Sequence, residues 1–116
     1  MAFDEDLADR VRAQLSGTAG VVEQRMFGGL AFLIGGNMAV AASGQGGLLL
    51  RCDPADTAKH VAAPNVARFE MRGKEMDGWL RVDGAAVRTA AALRRWVTVG
   101  VTYAQSLPAK PAKARR

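Results

Sequence analysis

One cysteine and one histidine are all that the 116 residues hold of the two side chains most used in nucleophilic and acid–base chemistry. A lone Cys52 closes no intramolecular disulfide, which fits a reducing compartment. With His60 it falls short of the three or four ligands that a zinc site needs, and the acidic residues are scattered, so neither metal nor cofactor is expected. No apolar run approaches the length of about 20 residues that spans a bilayer. The longest, around Leu30 to Ile34 and Met38 to Ala42, are strand-sized. Asp4, Glu5 and Asp6 stand where a secretory leader would be basic. The expected place is the cytoplasm, with no membrane partner.

What is present is one domain's worth of chain, 49% hydrophobic, enough to build a core without disulfide or metal. The net charge of +5 is unevenly placed. Lys110, Lys113, Arg115 and Arg116 crowd the carboxyl end and leave the rest close to neutral. The division expected is a folded domain over residues 1–107 and a basic tail over 108–116, which has no side chain large enough to anchor it.

Periodicity places the elements. Asp4 caps a helix to about Leu15, with Leu7, Ala8, Val11 and Leu15 on one face. Val22 to Met26 and Leu30 to Ile34 flank Phe27-Gly28-Gly29 and read as one long strand, bent or bulged at the glycines. Gly35-Gly36-Asn37 predicts a tight hairpin turn. Strands follow at Met38 to Ala42 and Leu48 to Cys52. Asp53-Pro54 opens a helix to about Ala62. Two alternating strands come next, Ala67 to Arg72 and Met76 to Val82, the second with Met76, Gly78, Leu80 and Val82 inward. Thr89 caps a last helix whose stripe runs from Leu93 through Trp96, Val97, Gly100, Val101 and Ala104 to Leu107. The order α-β-β-β-α-β-β-α predicts a two-layer α+β fold: an antiparallel sheet of about five strands, helices on one face, the other face wet.

Candidate chemistry is sparse. Cys52 and His60 lie eight residues apart without a nucleophile motif, and a buried thiol beside a surface imidazole explains both. The glycines lack the G-x-G-x-x-G spacing and feed no Walker lysine, so they read as a bulge and a turn. Trp79 falls opposite Leu80 and Val82, alongside Asp77 and Arg81. Trp79 and Arg81 are either part of an interaction patch or covered by a helix edge or loop. The four tail cations could neutralise phosphates, weakly and without base preference.

Arg25-Met26-Phe27-Gly28-Gly29, followed by Leu30-Ala31-Phe32 and Gly36-Asn37-Met38, resembles the signature of the TfoX/Sxy N-terminal domain family. Leu49-Leu50-Arg51, the stretch from Phe69 to Trp79, Trp96 and Tyr103-Ala104 extend the resemblance over roughly residues 3–107. It implies a secretion-chaperone-like α+β fold and a non-enzymatic role, with Arg25 to Gly29 either structural or in contact with a partner. Two-domain relatives regulate natural competence, working with a cyclic-AMP receptor-type activator at promoters, and carry a second domain beyond this stretch. The expected function is therefore a regulatory interaction module, monomeric or homodimeric, whose partner is a protein such as part of the transcription machinery. The alternatives are a weak, sequence-independent nucleic-acid binder using the tail, or a chaperone-like dimer holding a peptide.

Overall fold

The computed structural model describes residues 3–26 and 28–108. Four of the five described helical segments open on a short polar side chain that accepts an otherwise orphaned backbone N–H. Asp4 accepts from Leu7 at 3.1 Å and starts helix α1, Glu5–Gln14. Asp53 accepts from Ala55 at 2.9 Å before a 3₁₀ turn, Pro54–Asp56, that runs into helix α2, Thr57–Val61. The single helix expected from Pro54 begins instead as this tighter turn, because the Thr57 hydroxyl donates back to the Pro54 carbonyl at 2.8 Å. Asp83 caps a second 3₁₀ turn, Gly84–Val87, and Thr89 caps helix α3, Ala90–Ser106, through Ala92 at 3.0 Å.

The strands are β1 Val21–Met26, β2 Gly29–Ile34, β3 Asn37–Ala42, β4 Leu48–Arg51, β5 Val66–Met71 and β6 Lys74–Val82. They form one antiparallel sheet in the order β1-β2-β3-β4-β6-β5. The α+β class and its two layers are as the pattern predicts. The bent long strand is not: β1 and β2 are two strands of a hairpin, paired from Val21↔Ile34 to Met26↔Gly29, which makes six strands in place of about five. Chain reversal lets the two halves satisfy each other's backbone groups, which a continuous strand at the sheet edge would leave to water.

The helices lie on one face. Leu7, Val11, Leu93, Trp96 and Val97 pack with Phe32, Val40, Leu48, Leu50, Leu80 and Val82 into the main core. A bulge deepens it. Phe32 pairs with Val40 and Leu33 with Met38, so Ala39 is the extra residue, and both Ala39 and Val40 join the helix side. The Ala39 carbonyl meets α3 at Gly100, where a Cβ would sit 2.3 Å from that oxygen. Glycine there lets helix and sheet backbones touch.

A second bulge corrects the expected facing of β6. Arg68 pairs with Leu80 but Phe69 with Met76, so Asp77, Gly78 and Trp79 are extra. Met76 thereby joins Phe69 on the side away from the helices, while Leu80 and Val82 stay in the core. No described helix is long and apolar enough to cross a membrane.

Candidate interaction surface

The helix-free face was expected to be wet, and it is apolar. Ala31, Met38, Ala41 and Leu49 form a second buried cluster, with Met26, Leu33, Phe69 and Trp79 half-buried around it and no helix residue among its members. Alternation along the paired strands adds Val22, 58% exposed, and Met71, 39% exposed, at the two ends of the same face. Its charged strand residues, by register, are Arg51, Arg81 and Lys74. Among the strand carboxylates, Glu23, Glu70 and Glu75 fall by register on the helix side, with Arg12 of α1 donating to Glu23, while Asp77 lies in the β6 bulge, pairs with Arg68 at 2.8 Å and lines a cleft with Met71, Lys74 and Met76. By register the face is apolar and its charged residues are cations.

Trp79 lies on the helix-free face. It is half-buried, stacked at a tilt on Phe69 with ring centres 6.5 Å apart. Arg81 faces the same way but is engaged in structure. Its guanidinium donates to the Ser43 hydroxyl at 2.9 Å and the Gly46 carbonyl at 3.2 Å, holding the β3–β4 turn.

The residue that sequence reasoning did not single out for this face is Arg51. It stands opposite Trp79 in the β4–β6 ladder. Its guanidinium carbon lies 4.9 Å over the Trp79 ring and 5.3 Å over the Tyr103 ring of α3. Its Nε is buried without a hydrogen-bond partner, and Arg51 makes no ion pair among the described residues. The available signal is its two-residue offset from Leu49, which puts both on one side of β4.

The glycine-rich signature is architecture. Met26 and Gly29 pair across a two-residue loop in which Gly28 has φ of +74°, so the motif is a hairpin turn and not a bulge. A Cβ on Gly29 would lie 2.2 Å from the Ala42 carbonyl oxygen. Arg25 is exposed with its guanidinium 5.4 Å over Phe3, and Met26 belongs to the outer cluster. Phe27 and the four tail cations Lys110, Lys113, Arg115 and Arg116 lie outside the described residues.

Cys52 and His60 line a cleft of about 400 Å³ between α2 and α3, with Asp53, Asp56, Thr102 and Tyr103 also on its wall. They share the cleft without sharing a proton. No hydrogen bond joins them among the described residues, and His60 instead sets its ring edge-on to Trp96 at 5.7 Å. Cys52 is 1% exposed, its sulfur 3.9 Å from the Thr57 hydroxyl. That hydroxyl donates to Pro54 and accepts from the Gly78 N–H at 2.7 Å, so the thiol is the donor toward it. Burial pushes the Cys52 pKa up. Burial and then Lys59 push that of His60 down. Both shifts favour the neutral forms, opposite to an activated thiolate–imidazolium pair. Among the described residues no group of three or more His, Cys, Asp or Glu side chains could hold a metal ion.

No curated protein and no solved structure matches the chain. The family described as TfoX N-terminal domain does match, over residues 13–104, from the end of α1 through the hairpin signature to the last turn of α3, and the chain belongs to that family.

Proposed function

We propose that this protein is a non-enzymatic interaction module that works in the cytoplasm by docking a protein partner on the helix-free face of its sheet. The observation that carries the reading is the apolar cluster built from Ala31, Met38, Ala41 and Leu49 and fringed by Met26, Leu33, Phe69 and Trp79. In a two-layer fold the second sheet face is ordinarily polar, because nothing removes it from water. Its four central residues are buried by their own neighbours, and the half-buried fringe with exposed Val22 and Met71 is the apolar surface a partner would cover. The raised thiol pKa of Cys52 and the absence of a hydrogen bond from it to His60 argue against chemistry in the one cleft that holds both. Membership of the family favours a partner in transcriptional regulation, competence included.

The test is site-specific photocrosslinking in the native cell. A photoreactive side chain at Leu33 should give discrete protein adducts, and one at Arg94, exposed on α3, should not. Adducts on RNA polymerase or a DNA-bound activator would support the regulatory role. Equal labelling at both positions, or none at Leu33, would remove the docking face.

A further inference from the structure

We infer that Arg51 is the anchor for a carboxylate on the partner, so that the sheet face selects an apolar segment carrying an acidic side chain. The inference rests on the docking role proposed for that face and names the chemistry of its occupant.

Three observations converge on it. First, the Arg51 charge is held in place but not neutralised. Two aromatic rings lie within 5.3 Å of the guanidinium carbon, and no carboxylate partners it among the described residues. Stacking on rings suits guanidinium, which is weakly hydrated and planar, and it leaves the edge of the fork free to meet a carboxylate in two parallel hydrogen bonds. Second, its Nε is sealed from solvent without a partner. A partner cannot reach that atom, so a carboxylate would meet the guanidinium end-on through its two Nη groups, neither of which is buried without a partner. Third, the charged strand residues that register assigns to the face are Arg51, Arg81 and Lys74, and the acid beside them, Asp77, is paired with Arg68. Arg81 is spent on the Ser43 hydroxyl and the Gly46 carbonyl. Lys74 is exposed at the β5–β6 turn with no ring to hold it, so Arg51 is the cation fixed in position to recognise a ligand.

The same charge distribution decides between occupants. Two copies stacked face to face about a two-fold axis would bring cation against cation, the neighbouring Asp77 of each copy being already paired with its own Arg68. The chain's own basic end, Lys110 to Arg116, repels the face for the same reason. An acidic–apolar peptide satisfies both the apolar surface and the free charge.

Two libraries of short fluorescein-labelled peptides provide the probe. One mixes aliphatic and aromatic residues around fixed glutamates, and the other has lysine at the same places. The full chain should bind the glutamate library, weakening as salt rises. Arg51→Gln should weaken that binding by about tenfold or more, the usual worth of a hydrogen bond to a charged group. Arg51→Lys, which keeps the charge but not the fork, should fall between. Circular dichroism on each variant separates loss of binding from loss of fold. If apolar peptides bind regardless of charge and Arg51→Gln binds as the wild type does, the face docks but the carboxylate anchor is wrong. If neither library binds, the docking face itself is overturned. A dimer that Arg51→Gln strengthens would also overturn the inference, since a second copy would then be the occupant.

Discussion

Arg51 and Trp79 face each other across the β4–β6 ladder, with the guanidinium carbon 4.9 Å from the indole centre, on the side of the sheet that carries no helix. An arginine so placed costs the fold part of its hydration and receives only ring contacts in return.

Replacing it with an apolar side chain of similar length should therefore do little harm. Arg51→Met should leave the free energy of unfolding within about 1 kcal/mol of wild type, because the lost cation–π contacts are offset by a relieved unpaired donor. Phe32→Ala, in the main core, should cost about 3–5 kcal/mol. Urea denaturation followed by tryptophan fluorescence measures both. A loss above about 2 kcal/mol for Arg51→Met would make the residue structural.

The hairpin signature should respond to mutation as packing demands. Gly29→Ala puts a methyl where the Ala42 carbonyl stands and should cost at least the 1–3 kcal/mol typical of overpacking. Gly28→Ala meets open space and should cost only its backbone conformation, about 1–2 kcal/mol. The order of the two midpoints in urea is the readout. The reverse order would mean that the turn moves to absorb the Gly29 methyl.

Cys52 should be slow to alkylate and should make the fold weaker in alkali. Its folded pKa lies above that of the unfolded chain, so the neutral thiol favours the native state. That contribution is fully present below the unfolded value, about 8.5, and is lost as pH rises through the folded one. Iodoacetamide at neutral pH should label native protein far more slowly than protein in urea. Cys52→Ser should flatten the alkaline fall in stability. Rapid labelling of the native chain would reopen the question of a reactive thiol.

Duplex DNA should bind weakly and only through the carboxyl-terminal cations. Four phosphate contacts limit the slope of log affinity against log salt to about −3.6. Removing residues 109–116 should abolish the binding. A steeper slope, or binding that survives the deletion, would place nucleic acid on the folded domain and against the protein-partner reading.

Much of this architecture is written locally. Asp4 and Thr89 cap helices because their own oxygens reach N–H groups three residues on, and that needs no tertiary context. Gly35 and Gly36, with φ of +60° and +81°, turn β2 into β3 as the dipeptide predicts. Other features depend on distant backbone. Met26 to Gly29 supports either a bend or a reversal, and the close approach of Ala42 belongs to the reversal that the fold adopts. The Gly78 bulge, which turns Met76 over, is held by Thr57 and Cys52 from another part of the chain.

The amino-acid order alone thus determined the helices, most strand segments and the α+β class, because caps, turns and periodicity act over a few residues. It also established that the two sides of each strand differ. Which side the helices cover, and that the other is apolar with unpaired positive charge, was settled only by packing. Register brings Arg51 opposite Trp79 and the path of α3 brings in Tyr103, so three residues far apart in sequence meet at one point. No local signal encodes such a meeting, because it is the product of every strand pairing and helix contact between them.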